Sequence, residues 1–180
     1  MILGTKVRLR EKKLDDARSD YRWQTDPELV RLDAMPGLKI SFARYLLDYT
    51  TALCAPSPRR RIFAVETFDG RHIGNCVYYN IDGDKGEAEV GVMIGERDCW
   101  DCGYGADAIV TLVDYLFHEK KMRRIHLKTL DWNQRAQHCF RKCGFSPCGQ
   151  SVKNGYNFLL MEIKREQWQK RQSQSEEAGS

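Results

Sequence analysis

Apolar and polar residues alternate in several short segments of the sequence, a pattern that predicts strands with one buried face. Two of these segments flank Asp69-Gly70, a dipeptide typical of tight hairpins, so the pair is predicted to be antiparallel. Other segments are separated by longer stretches that leave room for helices. The segments predicted as strands are 7–10, 62–68, 73–79, 88–94, 124–130, 145–150 and 156–163.

Other parts of the chain have helical character. Residues 14–24 and 41–51 are predicted helices, and from Gly105 onward apolar residues recur at helical spacing. A further helix is expected to begin after Asn133, a typical cap residue, and to end at Gly144. Two prolines and a glycine predict a loop between the first two helices: Pro27, Pro36 and Gly37.

The order of these elements indicates the fold class. Hairpins come early and strand–helix–strand crossovers come late, so we expect an α+β, three-layer fold (α/β/α). Its centre is predicted to be a mixed, mostly antiparallel sheet of about seven strands with helices on both faces. Residues 1–170 are expected to form one domain, and the polar segment 171–180 is expected to be a disordered tail.

Composition narrows the class of protein. With 180 residues, 42% of them hydrophobic, the chain can bury an ample core. A net charge of +4 suits an anionic ligand but falls well short of the charge typical of proteins that bind nucleic acid by charge alone. There is no apolar run long enough for a membrane span and no resemblance to a signal peptide, so a cytoplasmic protein is expected.

The cysteines do not indicate a metal site or a disulfide framework. Seven cysteines are an odd number, which favours reduced thiols in a chain without a secretion signal. Cys99 and Cys102 have the spacing of a zinc ligand pair, but no second pair with suitable spacing follows. We therefore expect no bound metal.

The segment from Val90 to Ala106 carries the clearest chemical signal. A predicted strand runs into a loop with two closely spaced glycines, Gly103 and Gly105, and a long helix follows at once. Glycines leave backbone N–H groups uncovered, and a helix N-terminus adds unsatisfied donors and partial positive charge. Together these features would hold a pyrophosphate. A plain turn between strand and helix is the alternative interpretation of the same spacing.

Four blocks of residues, in order, resemble the GNAT superfamily of N-acetyltransferases. The branch they resemble is typified by the ribosomal-protein N-terminal acetyltransferases RimJ and RimL and by spermidine acetyltransferases. The resemblance covers almost all of residues 5–168. Its blocks are Trp23-x-x-Asp26-Pro27-Glu28, then Trp100-Asp101-Cys102-Gly103-Tyr104-Gly105, then Asn133-x-x-Ala136 with Gly144-Phe145, and finally Asn154-Gly155-Tyr156 with Met161 and Glu166-Gln167-Trp168.

The resemblance implies the acyl-CoA N-acyltransferase fold and acetyl-CoA as the acetyl donor. It implies that the strand before the loop pairs with the pantetheine arm of CoA and that loop amides hold the diphosphate. It also implies that two residues in or next to the later helix, which begins after Asn133, contact the cofactor. Asn133 has a second interpretation as a simple helix cap. The residues so assigned are Val92, Met93 and Ile94 on the strand, Trp100, Asp101, Cys102, Gly103, Tyr104, Gly105 and Ala106 in the loop, and Asn133 and Phe140.

Acetyl transfer to an amine needs a base, a group that stabilises the oxyanion, and preferably an acid for the leaving thiolate. Glu89, beside the cofactor strand, is the predicted base, acting through a water, and Glu87 is the second choice. The oxyanion is expected to be held by backbone N–H groups near Met93, as the resemblance implies. Many relatives have a tyrosine as the acid where this chain has Phe140, so Tyr104, Tyr156 or water is expected to replace it.

The acceptor site is predicted from the resemblance and from charge. The resemblance places Trp23 and several carboxylates there, which favours a cationic acceptor, either a small molecule or a protein N-terminus. Two rival interpretations stay open: an acyl-CoA-binding protein without activity, suggested by Phe140, and an RNA- or ribosome-associated module built on the basic runs 59–61 and 120–124. The chain is expected to be a monomer or a homodimer. The acidic candidates are Asp20, Asp26, Glu28 and Asp33.

Overall fold

Antiparallel hairpins build the first part of the sheet in the computed structural model of the chain, which describes residues 1–178. The sheet has eight strands in the order β1-β2-β3-β4-β5-β6-β8-β7. Only β5 and β6 pair in parallel. The strands are β1 (Ile2–Leu3), β2 (Val7–Glu11), β3 (Arg60–Thr67), β4 (His72–Asp82), β5 (Glu87–Ile94), β6 (Arg124–Leu130), β7 (Ser146–Lys153) and β8 (Tyr156–Lys164).

Helices cover both faces of this sheet. One face carries the three early helices, and the other carries the three late ones, with the long fourth helix packed against β5, β2 and β4. The prediction of a mixed, mostly antiparallel sheet between two helical layers is confirmed, with one strand more than expected because β1 is too short to leave a pattern. The helices are α1 (Ala17–Thr25), α2 (Pro27–Leu32), α3 (Phe42–Cys54), α4 (Tyr104–His118), α5 (Gln134–Lys142) and α6 (Arg165–Ala178).

The main core lies between the sheet and α4. Leu112 and Leu116 of α4 are fully buried and belong to the same cluster as Ala88 and Val90 of β5. Because side chains alternate along a strand, Glu89 projects to the opposite face, towards the early helices. Burial of the apolar set fixes the register of β5, since a slip by one residue would place Glu89 in this core.

The parallel strands β5 and β6 separate soon after they begin. On its other side β5 pairs with β4 almost to its end, where Gly74 lies opposite Ile94. Beyond Glu89, residues 90–94 therefore present one backbone edge to a cleft instead of to a neighbouring strand. The only β5–β6 partners are Glu87 with Arg124, Ala88 with Ile125, and Glu89 with His126.

The loop predicted between the first two helices contains a further helix, α2. The Asp26 side chain accepts hydrogen bonds from the backbone N–H groups of Glu28 and Leu29, and Pro27 occupies the first helical position. An aspartate cap followed by proline is a start signal for a helix. The prediction of loop structure throughout this segment was wrong because Pro27 was interpreted as a loop residue and not as the first residue of a helix capped by Asp26.

The polar tail also differs from its prediction. α6 continues to Ala178, where disorder was expected from residue 171 onward. The helix is anchored by Trp168, which is buried with its ring 6.1 Å from that of Phe117, and glutamine, glutamate and lysine favour helix beyond that anchor. Residues 179 and 180 lie outside the described residues. In the described part of the chain, no helix combines the length and the hydropathy needed to cross a membrane.

Candidate active site

The glycine loop after β5 leaves a row of backbone donors without partners. Gly103 is the residue before α4 and has a φ of 84°, a left-handed conformation that glycine adopts without strain. Among the described residues, nothing accepts a hydrogen bond from the N–H groups of residues 101–106. These donors lie at the positive end of a helix of 15 residues. Such an arrangement binds phosphate groups.

Two cations lie next to these donors. The guanidinium of Arg135 lies 3.9 Å from the centre of the Trp100 ring, and Lys6 Nζ donates a hydrogen bond of 2.9 Å to the carbonyl of Cys102. Trp100 is itself held by a 2.7 Å hydrogen bond from its Nε1 to the carbonyl of Ile94. Sequence reasoning missed both cations, because only the fold brings α5 and the segment just before β2 to this loop.

The end of β6 is tied to the helix that borders the cleft. Gln137 Nε2 donates to the carbonyls of Leu130 and Asp131, at 3.2 and 2.8 Å. Asn133 Oδ1 accepts a hydrogen bond from the N–H of Ala136 at 3.2 Å, so its cap role is present. Val92, Met93 and Ile94 are half-buried on the strand that faces the opening.

Glu89 lies where the parallel strands part, inside a ring of donors. Its carboxylate accepts hydrogen bonds from Tyr79 Oη at 2.7 Å and Asn80 Nδ2 at 2.9 Å, and Lys128 Nζ lies 3.0 Å away. Burial alone would raise the pKa of this carboxyl, but the hydrogen bonds from Tyr79, Lys128 and Asn80 outweigh burial and hold the pKa below its ordinary value. Glu89 is therefore ionised at neutral pH although it is only 6% exposed.

His126 adds a second titratable group beside Glu89. Its Nε2 lies 3.9 Å from Glu89 Oε2, and burial lowers the pKa of the imidazole, so the ring is neutral at pH 7. Its Nδ1 is buried without a hydrogen-bond partner among the described residues. His126 and Lys128 could have been found from the alternation of β6, which projects both to the face opposite Ile125 and Leu127.

Glu87, the second choice for the base, has a different environment. It lies at the start of β5, where the strands are still paired, and Arg124 Nη1 is 3.0 Å from its carboxylate. Arg124 also contacts Glu162 on β8, at 2.6 Å. Glu87 belongs to this ion-pair group rather than to the edge of the cleft.

The residues considered for the acid are placed as follows. Phe140 is 7% exposed and packs in the core against Phe145, with ring centres 6.2 Å apart. Tyr104 is half-buried at the start of α4, and Tyr156 is half-buried at the start of β8, 6.4 Å from the ring of Phe158. In the described part of the chain neither tyrosine hydroxyl forms a hydrogen bond. Both phenols are therefore available as donors.

Three of the predicted acceptor residues are occupied by partners within the protein. Trp23 is 2% exposed and lies against Gly95, where an added Cβ would approach the indole ring to 2.2 Å. Asp26 and Glu28 both contact Arg97 Nη2, at 2.8 and 3.0 Å. Trp23 and Asp26 line a surface depression of about 280 Å³ beside Arg97, and both carboxylates are already paired with that arginine.

Asp20 is buried as well. It is 3% exposed, it lies 2.8 Å from Lys12 Nζ, and it accepts a hydrogen bond of 2.7 Å from Asn75 Nδ2. The same polar group contains Asp16 and His72 and joins α1 to the sheet. Asp20 therefore belongs to a buried polar network that joins α1 to the sheet.

Asp33 and Glu28 are the predicted acidic residues that are exposed at the surface, and Asp33 has no ion pair among the described residues. Asp33 follows the last residue of α2, where neighbouring protein groups partly desolvate its carboxyl and raise its pKa to about 6, although the charge of Arg60 acts in the opposite direction. The charge of Asp33 also raises the pKa of the Tyr79 phenol, after burial and the contact with Glu89. Asp33 thus lies on the same face of the sheet as Glu89, near its ring of donors.

The basic runs lie at the other end of the sheet. Residues 120–124 follow the C-terminus of α4, and a helix of this length separates them from the glycine loop by about 20 Å. A surface depression of about 770 Å³ is present there. These residues do not flank the open N–H groups of the glycine loop. The depression is lined by Asp84, Lys85, Glu87, Arg123, Arg124, Lys164, Arg165 and Glu166.

Comparison with protein families matches residues 6–146 to the family described as acetyltransferase (GNAT) domain. Among curated proteins, the chain is similar to the uncharacterized N-acetyltransferase p20 from Bacillus licheniformis. The two are 28% identical over 124 residues, which cover 68% of this chain and 69% of that protein. The family match spans β2 through the beginning of β7 and includes the glycine loop and Glu89.

Two solved structures resemble the fold over nearly all of its length. Spermidine N-acetyltransferase from Vibrio cholerae, in complex with CoA and spermine, has a TM-score of 0.81 and 20% identity, covering 92% of this chain and 99% of that chain. The aminoglycoside acetyltransferase AAC(6')-Ib in complex with coenzyme A has a TM-score of 0.75 and 20% identity, covering 91% and 98%. At this level of identity the likeness establishes the fold.

Proposed function

The chain belongs to the GNAT acetyltransferase family, and from this premise we propose that it transfers an acetyl group from acetyl-CoA to a primary amine of a small cationic acceptor. One observation supports the proposal above all others. The open amide row of residues 101–106 and the buried carboxylate of Glu89 border the same cleft, at the two ends of the separated edge of β5. Such a cleft brings a CoA thioester and an amine together.

The donor half of the site suits CoA in charge and in shape. The N–H groups of 101–106 would receive the diphosphate, with Arg135 and Lys6 as adjacent cations. The exposed backbone edge of residues 90–94 would pair with the amides of the pantetheine arm, as an added strand would. Amide donors near Met93 would then lie beside the thioester oxygen and stabilise the charge that develops on it.

The acceptor amine arrives protonated and must lose a proton before it attacks. Glu89 is ionised at neutral pH, so it can attract the ammonium and accept the proton through a water. Its low pKa makes it a weak base, and His126, neutral and 3.9 Å away, offers a stronger one within the same group. We therefore assign proton removal to the Glu89 region, with Glu89 as the charge that positions the amine.

The leaving thiolate needs little help. Phe140 has no proton to donate, and a thiol has an ordinary pKa of about 8.5, which makes its anion a tolerable leaving group near neutral pH. Tyr104 and Tyr156 have hydroxyls without partners in the described chain, and either could protonate the sulfur. The absence of a tyrosine at position 140 is thus compatible with turnover.

The proposed class of acceptor, a small cationic amine, is supported by the negative charge of the acceptor face and by the solved structures of similar fold. Those proteins are, by their names, enzymes for spermidine and for aminoglycosides, both of which are small polycationic amines. In this chain Asp33 and Glu89 place two carboxylates on the acceptor face. The resemblance to RimJ and RimL leaves a protein N-terminus as the competing acceptor.

An acceptor screen tests the proposal. The purified protein is incubated with acetyl-CoA and a panel that contains spermidine, spermine, ribostamycin and a peptide with a free N-terminus. Thiol release and a mass increase of one acetyl group are measured for each amine. Acetylation of the small polycations is expected, and acetylation of the peptide alone would overturn the assigned acceptor class.

The same screen separates the rival functions. CoA binding measured by calorimetry without thiol release from any amine would indicate an acyl-CoA-binding protein without activity. Retention of RNA that weakens with salt, together with no affinity for CoA, would indicate a module that acts through the basic residues at the other end of the sheet.

A further inference from the structure

A contact between a cation and an aromatic ring joins α2 to the turn between β6 and α5. The guanidinium carbon of Arg31, on α2, lies 4.9 Å from the centre of the Trp132 ring, which follows β6. Trp132 remains 44% exposed, an unusual position for so large an apolar side chain. The contact therefore connects an early helix to the end of the strand that carries His126 and Lys128, the two residues next to Glu89.

This contact lies close to the proposed site of chemistry. Trp132 is four residues beyond Lys128, whose ammonium contacts Glu89, so an extended chain separates the two by at most about 13 Å. Arg31 is two residues before Asp33, the open carboxylate on the same face. The indole ring is thus within the span of a small amine whose other end lies at Glu89.

The side chain of Arg31 has few interactions besides its contact with the Trp132 ring. Within the part of the chain that the structure describes, it forms no ion pair, in contrast to Arg97 and Arg22 nearby, which contact Asp26 and Glu96. Contacts between an exposed guanidinium and an indole face are weak, and ligand ammonium groups bind aromatic faces in the same way. A second cation can therefore take the place of Arg31 without breaking an ion pair.

We propose that the face of Trp132 is the subsite for the distal ammonium of a cationic acceptor, and that Arg31 occupies this subsite until the acceptor replaces it. The proposal rests on the function proposed above and extends it to the recognition of the part of the acceptor that does not react. Because Arg31 competes with the acceptor for the ring, only molecules with an uncovered ring can bind the distal ammonium. The apparent affinity for the acceptor therefore falls in proportion to the fraction of molecules in which the ring is uncovered.

Two substitutions should change acceptor affinity in opposite directions. Arg31→Ala uncovers the ring and should lower KM for spermidine about threefold, while Trp132→Ala removes the subsite and should raise KM about tenfold. Trp132→Phe retains an aromatic face and should lie between wild type and Trp132→Ala. The KM for acetyl-CoA should not change in any of them. Steady-state kinetics and calorimetric titration with spermidine measure these effects.

Arg18→Ala is the matched control. Arg18 is exposed and lies 5.3 Å from the ring of Phe42, so this variant removes the same charge and the same type of contact between α1 and α3, without touching Arg31 or Trp132. It should leave KM unchanged. If Arg31→Ala raises KM for spermidine, or if Trp132→Ala binds spermidine as wild type does, the subsite is overturned while acetyl transfer stands. If wild type binds no cationic amine, both the subsite and the proposed acceptor class fail.

Discussion

The two halves of the cleft are built from different parts of the polypeptide. The proposed donor half consists of backbone N–H groups from consecutive residues, 101–106, placed by one glycine in a left-handed conformation and by one helix. The proposed acceptor half consists of side chains from β4, β5, β6 and α2, which the fold alone brings together. A backbone site tolerates most side-chain changes, whereas a side-chain site can change its ligand by single substitutions.

This difference predicts how variants should divide. Changes at Glu89 should reduce turnover and leave CoA affinity intact, and changes at Gly103 should do the reverse. Each of the following experiments tests whether the two halves are as separate as their construction implies.

The largest effect is expected from Glu89→Gln, which keeps the shape of the side chain but removes its charge. Loss of a positioned acid–base group lowers turnover by about a hundredfold or more, so kcat should fall by at least that factor. The dissociation constant for CoA, measured by calorimetry, should stay within about twofold of wild type. Glu87→Gln is the control, since Glu87 pairs with Arg124 away from the edge of the cleft. An unchanged kcat in Glu89→Gln would remove this residue from the mechanism.

A smaller effect is expected from Gly103→Val in the donor half. A β-branched side chain at a φ of 84° strains the backbone and reorients the loop amides, so CoA affinity should fall about tenfold. Gly155→Val introduces the same strain at a φ of 78° in the turn between β7 and β8, where an added Cβ meets nothing within 4 Å. The dissociation constant for CoA is measured by calorimetry on both folded variants and compared. Equal affinity in the two would show that the loop does not hold the cofactor.

The smallest expected effect is a pH dependence of the KM for a cationic acceptor. Asp33, with a pKa of about 6, is charged above that pH and neutral below it, so KM for a cationic amine should rise a few-fold as the pH falls from 7 to 5. Glu89 has its pKa held below the ordinary value and stays charged over this range, so it cannot cause the change. Asp33→Asn should raise KM at pH 7 and weaken the dependence, since His126 beside Glu89 also takes up a proton as the pH falls. A pH dependence of undiminished size in Asp33→Asn would place its origin in another group.

The donor half could be predicted from the sequence because it is local. A strand, two glycines and the start of a helix are consecutive, and each leaves its own pattern, so the loop and the start of α4 lie where residues 100–106 indicated. Asn133 was likewise recognised as a cap from its position before α5. The chemistry of these segments follows from backbone geometry alone.

The acceptor half could be predicted only in part, because its members are distant in sequence. Glu89 was singled out, but Lys128 and Tyr79 were not, since they meet it only through the pairing of β5 with its neighbours. Trp23 and Asp26 stand in a block that resembles the family, yet Trp23 is buried against Gly95 and Asp26 is held by Arg97. A sequence block identifies which residues recur together but not which of them face the ligand.

The most direct test of the account is a titration of the isotopically labelled protein with CoA, followed through its backbone amide resonances. The amides of residues 101–106 are expected to shift most, with smaller changes at 92–94 and little change at Lys85, Arg123 and Lys164. No detectable binding, or shifts concentrated among those basic residues at the opposite end of the sheet, would contradict the assignment of the glycine loop as the site that holds the diphosphate.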